Sequence, residues 1–207
     1  MKKLLITGFE PFGGDDKNAS WEAVALLPDK IGGIELIKRK IPVEYNRVGA
    51  VLQQLISGEQ PDAVICVGQA AARSAVTPEK VAINWKCGSI ADNAGVLCSG
   101  EVIHADGPDG YFSTLPVEKM VDAMKQAGVP AQVSYTAGAY VCNCTLYELL
   151  HYTKQNYPNI LGCFIHVPYL CEQVLDRPQH PSLPLQSITA ALTAGIAILD
   201  PSLQGTI

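Results

Sequence analysis

Charge is what this chain has least of. Asp, Glu, Lys and Arg make up 17% of its 207 residues, against an ordinary share of about 25%. Hydrophobic residues reach 48%, so the chain is not an acidic disordered segment. Low charge on a globular chain also points to surface hidden in an oligomer. With 15 basic and 20 acidic residues the formal charge is −5, and no basic block is present. Nucleic acid is therefore not the expected partner. Long apolar runs are missing too. No stretch approaches the roughly 18 residues of a membrane span. The basic start at Lys2-Lys3 leads into a run that ends by Gly8-Phe9-Glu10-Pro11. That is too short for a secretory leader, whose apolar core needs about 7–15 residues. The expectation is a cytoplasmic protein without a membrane segment. The length predicts one domain, residues 1–207, since domains run to roughly 100–200 residues.

Other absences concern motifs. There is no G-x-G-x-x-G and no G-x-x-x-x-G-K-[ST], so the Gly8–Gly14 loop is not a standard phosphate cradle. Zinc modules usually show two close ligand pairs. Here the only tight cysteine pair is Cys142-Asn143-Cys144. Cys163 and His166 are three apart on a predicted strand, which places them on opposite faces. A structural zinc site is not expected.

What is present is thiol. Seven cysteines, Cys66, Cys87, Cys98, Cys142, Cys144, Cys163 and Cys171, make an odd count. At least one has no intramolecular partner, and a reducing compartment suits free thiols.

Short apolar strands alternate with helical patterns along the chain. Strands are predicted at Lys3–Thr7, Ile34–Val43, Ala63–Val67, Lys80–Asn84, Ala131–Tyr135 and Leu161–Val167. Helices are predicted after Asn18 or Ser20, over Glu44–Ser57, from Leu115-Pro116 to Gly128, over Cys142–Asn156 and over Leu185–Leu199. This order predicts a three-layer α/β/α sandwich, phosphorylase/hydrolase-like, with a mostly parallel mixed central sheet. Sites in such sheets form at the carboxyl ends of strands.

Two such ends carry reactive chemistry. Tyr140-Val141-Cys142 lies where a strand turns into a helix. Cys142 at a helix N-terminus would have its thiol acidity raised by the dipole, with free amides nearby for an oxyanion. It is expected to outpace the other six thiols in alkylation near pH 6. Cys144 points to another side of the helix. Of the four histidines, His104, His151, His166 and His180, only His166 ends a strand in the same layer. An imidazole base needs a third group to orient it. Glu79, in a turn before a strand, and Asp92 are the two candidates. Phe9 and Phe12 read as core aromatics or as the apolar wall of a small-ligand site.

Taken in order, Gly8-Phe9-Glu10-Pro11-Phe12-Gly13-Gly14, Val67-Gly68-Gln69, Thr77-Pro78-Glu79, Val141-Cys142-Asn143 and Phe164-Ile165-His166-Val167-Pro168-Tyr169 resemble the pyroglutamyl peptidase type I family. The resemblance runs from Lys3 to about Leu199. It implies a cysteine peptidase that removes an N-terminal pyroglutamyl residue from peptides, with no metal and no cofactor, commonly as a homotetramer. It also implies a triad of Cys142, His166 and Glu79. The substrate pocket it implies is Phe9, Phe12, Asn18, Gln69, Ile90, Tyr140 and Val141. The chain departs from the family pattern at Ala71-Ala72, where two glycines are usual. It departs again at Ser89-Ile90-Ala91-Asp92-Asn93, where Arg-Ile-Pro-Asp-Asn is usual, and at Tyr140, where Phe is usual. These departures leave open an amidase of altered specificity, or a lactam-binding module without catalysis.

Overall fold

The computed structural model describes residues 2–200. In chain order the elements are β1 (Lys3–Phe9), α1 (Ala19–Leu26), β2 (Lys30–Ile31), β3 (Ile34–Ile41), α2 (Tyr45–Glu59), β4 (Ala63–Gln69), β5 (Thr77–Glu79), β6 (Val81–Ile83), β7 (Lys86–Cys87), β8 (Ser99–Glu101), β9 (Gly110–Phe112), α3 (Val117–Gln126), α4 (Val141–Asn156), β10 (Leu161–Val167), β11 (Tyr169–Leu170), β12 (Ser182–Leu183) and α5 (Leu185–Ala197). A six-stranded sheet has the order β2-β3-β1-β4-β10-β5. The four strands β3, β1, β4 and β10 are parallel, and the edge strands β2 and β5 run antiparallel. The sandwich and the mixed, mostly parallel sheet are as the sequence predicts.

Alternation along the central strands builds the two cores. Leu4, Ile6, Ile65, Val67, Cys163 and Ile165 face α1, α3 and α5. Leu5, Phe9, Val64, Cys66 and Phe164 face α2 and α4. Covered on both sides, β1, β4 and β10 are buried almost throughout. That is why they read as unbroken apolar runs.

Two segments depart from expectation. Glu79 ends a strand of its own, β5, rather than sitting in a turn before one. Ala131–Tyr135 is not a regular strand. It runs beside β5 through single bridges at Val76–Ala131 and Glu79–Ser134, and its amides and carbonyls bond those of Val76, Pro78 and Lys80. It therefore still closes the outer side of β5.

Candidate active site

Sheet register brings the first pair together. In the antiparallel pairing of β5 with β10, Glu79 lies opposite Phe164 and Thr77 opposite His166. Residues two apart on a strand share a face, so Glu79 is the diagonal neighbour of His166. The contact is direct: His166 Nδ1 is 2.7 Å from Glu79 Oε1. Nδ1–H donates to the carboxylate, which leaves Nε2 free. Both side chains are buried, Glu79 completely. The second oxygen, Oε2, has no hydrogen-bond partner.

Helix α4 supplies the thiol. Tyr140 is its extended N-cap and no side chain caps the helix. The first amides of a helix have no partner four residues back, so those of Val141, Cys142 and Asn143 are available to an oxyanion. Asn143 fixes the entry of the helix: its Oδ1 accepts from Ile83 N, and its Nδ2 donates to the carbonyls of Ile83 and Trp85. Cys142 then comes down over Gly68 at the carboxyl end of β4. A Cβ on Gly68 would stand 2.5 Å from Phe164 Cζ and 3.1 Å from Cys142 Sγ. Glycine is what allows the thiol and the Phe164 ring to share that space. The Phe164 ring lies against His166, with centroids 4.8 Å apart.

A third strand end adds a cavity. Phe9, Phe12, Asn18, Val43, Gln69, Tyr140, Val141 and Cys142 enclose about 70 Å³. Two sides are apolar, and the Tyr140 ring packs on Phe12 and Tyr45 at 5.4 and 5.2 Å between centroids. Gln69 is oriented: its Oε1 accepts from Ala19 N at 2.8 Å and from Gln173 Nε2 at 3.0 Å. Two donors converging on one atom identify it as the oxygen, so the Nε2 donor remains for the cavity. Asn18 Oδ1 caps α1 through Ser20 N, and its Nδ2 donates to Glu10 O. It forms a wall with its polar atoms engaged.

Of the residues expected at the site, the structure gathers Phe9, Phe12, Asn18, Gln69, Tyr140, Val141 and Cys142 around the cavity. His166 is paired with Glu79. Ile90 is half-exposed and is not among the lining residues. Val43 lines the cavity instead. The rival carboxylate Asp92 accepts from the amides of Tyr45, Ala94 and Val96. It holds a turn together. His104 and His151 stack on each other at 4.1 Å, and His180 packs against Tyr169. The Tyr140 hydroxyl donates to Ala91 O at 3.0 Å. Two departures from the family pattern thus bond each other, and the extra hydroxyl is directed at the 89–93 loop.

Sequence reasoning missed Arg73. Its Nη1 donates to Thr77 Oγ1 at 2.7 Å and its Nη2 to Thr136 O at 2.8 Å. The same Nη2 is 2.9 Å from Glu79 Oε1. One signal was available: Arg73 is the only basic residue between Arg47 and Lys80.

Burial dominates the electrostatics. It pushes the Cys142 thiol up to about 12; Glu79 adds to this and Arg73 opposes it. Burial also pushes His166 below the ordinary histidine value, against the pull of Glu79. The resting pair is a neutral thiol and a neutral imidazole. The dipole at the start of α4 does not overcome burial, contrary to the sequence expectation. Cys66 and Cys144 are likewise pushed up to about 12 by burial. Acidity therefore does not single out Cys142 among the thiols. Its neighbours do.

The depressed histidines have a consequence for stability. Burial lowers His151 as well as His166. A histidine lowered in the folded state binds fewer protons there than in the unfolded chain. Stability from this source is present above the unfolded value near 6.5 and is lost as pH falls below it. The carboxylates lowered by partners, Asp29, Asp62 and Glu118, act only below about pH 4. Thermal melts should therefore show a falling midpoint from pH 7 to pH 5. A midpoint flat over that window would contradict the buried, neutral state of both rings.

Among the described residues, no three His, Cys, Asp or Glu side chains are arranged to hold a metal ion. All seven cysteines are free thiols, and among the described residues no helix is long and apolar enough to cross a membrane.

Comparison with known proteins agrees with this geometry. A family model described as pyroglutamyl peptidase matches residues 2–200. The pyrrolidone-carboxylate peptidase of Lactobacillus johnsonii is 47% identical over 95% of this chain and 92% of its own. That of Thermococcus onnurineus is 48% identical over 91% and 94%. The crystal structure of Bacillus amyloliquefaciens pyroglutamyl peptidase I superposes with a TM-score of 0.92. It is 43% identical, and the match covers 95% of this chain and 96% of that one. A Cys at an uncapped helix start, a His–Glu pair on adjoining strands and a small apolar cavity thus occur in a chain that belongs to the pyroglutamyl peptidase family of cysteine peptidases.

Proposed function

We propose that this protein hydrolyses the amide bond after an N-terminal pyroglutamyl residue of peptides, with Cys142 as nucleophile, His166 as base and Glu79 as the group that orients it. The observation that carries this reading is the buried His166–Glu79 pair, with His166 opposite Gly68 and Cys142 Sγ beside that glycine at the edge of the cavity. Because the thiol rests neutral, its proton moves to His166 Nε2 as Sγ attacks the carbonyl carbon. The C–S bond forms and the carbonyl π electrons move to oxygen, facing the first amides of α4. As the intermediate collapses, the C–N bond breaks and Nε2 returns the proton to the leaving amine. Water then gives a proton to Nε2 and attacks the thioester. The C–S bond breaks, pyroglutamate leaves, and Sγ recovers its proton.

Specificity follows from the cavity. A flat, neutral lactam ring fits between the walls of Phe9, Phe12 and Tyr140. The Nε2 of Gln69 can donate to the lactam carbonyl. An ordinary N-terminus would bring an ammonium ion into the same apolar space, at a cost of several kcal/mol (roughly 2–7 even for a neutral polar group). A pyroglutamyl chromogenic amide should therefore be cleaved, while the prolyl and glutamyl amides should be cleaved at least about 100-fold more slowly. Comparable rates on all three would instead favour an amidase of altered specificity. No cleavage with intact folding would favour the binding module.

A homotetramer in the cytoplasm is part of the same proposal. Seven free thiols suit a reducing compartment. Ile83, Trp85, Leu97, Val102 and Phe112, all more than 40% exposed, lie in the segment between β5 and α3, outside the six-stranded sheet. Such apolar exposure suits an interface between subunits.

A further inference from the structure

The buried carboxylate at the centre of the site is only half satisfied. Oε2 of Glu79 has no hydrogen-bond partner, so the side chain's hydrogen bonding falls on Oε1. His166 Nδ1 donates there at 2.7 Å, and the Arg73 guanidinium forms an ion pair with it, Nη2 at 2.9 Å. During turnover His166 alternates between neutral and charged, so it cannot be the constant counter-charge. Arg73 can: it stays protonated throughout. Its side chain is 21% exposed against 0% for Glu79, so it brings charge from the solvent boundary to a group sealed from water.

Its other two bonds hold the site together mechanically. The fork reaches Thr77 on β5 and the carbonyl of Thr136. Thr136 belongs to the segment that leads into Tyr140 and Cys142. One guanidinium thereby ties the strand bearing the orienting acid to the loop that delivers the nucleophile.

We infer that Arg73 is a positioning residue of this site, which holds Glu79 aligned behind His166 and places a constant positive charge beside His166 and Cys142. This rests on the reading of Cys142, His166 and Glu79 as a catalytic triad. The direction of its effect on each partner is the same: its positive charge disfavours the imidazolium of His166 and favours the thiolate of Cys142.

Removing the charge therefore has a signed consequence. Without the Arg73 charge, His166 takes up a proton at higher pH, and the acid limb of kcat/KM moves to higher pH.

The test uses Arg73→Gln, which keeps an amide donor but no charge, and Arg73→Lys, which keeps the charge without the fork. With a pyroglutamyl amide, Arg73→Gln should lose roughly 10- to 100-fold in kcat, with KM within about threefold. Its acid limb should move up by about one pH unit. Arg73→Lys should keep the wild-type limb while losing part of kcat, because Lys cannot bridge Thr77 and Thr136. A second readout needs no turnover: iodoacetamide labelling of Cys142 at pH 8, followed by peptide mass spectrometry. One unit of lost acidity is about tenfold less thiolate, so labelling in Arg73→Gln should slow about tenfold and in Arg73→Lys much less. A purely structural role would lower kcat in both variants and leave limb and labelling ratio unmoved; that result overturns the inference. If Arg73→Gln does not fold, Arg73→Lys decides alone: a limb displaced by a full unit with the charge retained overturns it, and a limb in place supports it. If the wild-type protein cleaves no pyroglutamyl amide, the functional reading fails, and the labelling ratio still judges the electrostatic role of Arg73.

Discussion

Cys142→Ala is expected to lower kcat/KM on a pyroglutamyl amide by at least roughly 10⁴-fold, to the level of whatever the cavity and the helix amides do without a nucleophile. The expectation follows from the placement of the thiol. Cys142 is the one cysteine that lines the cavity, and its Sγ lies next to the Gly68 position at the end of β4. Cys144, two residues on, is buried in the core facing α2 and cannot replace it. Loss of one sulfur leaves a small space beside Gly68, worth about 1 kcal/mol, so the variant should remain folded. Thermal melting checks that, and a stopped assay at high enzyme concentration checks the rate. Cys142→Ser should also be severely impaired, because a hydroxyl gives up its proton to His166 far less readily than a thiol. Activity within tenfold of wild type in Cys142→Ala would remove Cys142 from the mechanism.

Glu79→Gln is expected to lower kcat by roughly 10²- to 10⁴-fold with little change in KM. The replacement is almost isosteric. Its oxygen can still accept from His166 Nδ1 and from Arg73, so the imidazole can keep its orientation. What disappears is the negative charge. When His166 takes the thiol proton it becomes a buried cation, and in this variant only Arg73, a like charge, faces it from that side. The imidazolium is then disfavoured in the transition state and hardly at all in the resting enzyme, where His166 is neutral. That is why the loss should fall on kcat. Steady-state kinetics separates the two parameters. A loss confined to KM, or a kcat within tenfold of wild type, would show that Glu79 serves the fold and not the reaction.

Some of this was legible in the residues. The central strands β1, β4 and β10 could be read because burial on both faces forces unbroken apolar sequence. The start of α4 was legible within one residue, since the small residues before Tyr140 cannot extend a helix pattern. From that, Cys142 could be placed at a helix start and His166 near the end of its strand. The three-residue strand β5 was not legible. It is too short for periodicity, and it exists because β10 on one side and residues 131–134 on the other bond its backbone. Asp92 and Glu79 looked alike for the same reason. Nothing local distinguishes a carboxylate that accepts three backbone amides from one that faces an imidazole.

The sequence by itself determined the layer architecture, the place of Cys142 at a helix start and of His166 on its strand, and the family pattern that joins them. Those depend on local periodicity and on residue types in order. Only the tertiary structure set Glu79 against His166 and Asp92 in a turn, put Val43 and not Ile90 in the cavity wall, and let Gln173 turn Gln69 so that its donor remains free. It alone brought Arg73 to Glu79. It also reversed the expected acidity of Cys142, because desolvation by the surrounding protein outweighs the dipole of one helix end. Side-chain contacts between segments far apart in the chain, and the water they exclude, have no local signature for a sequence to carry.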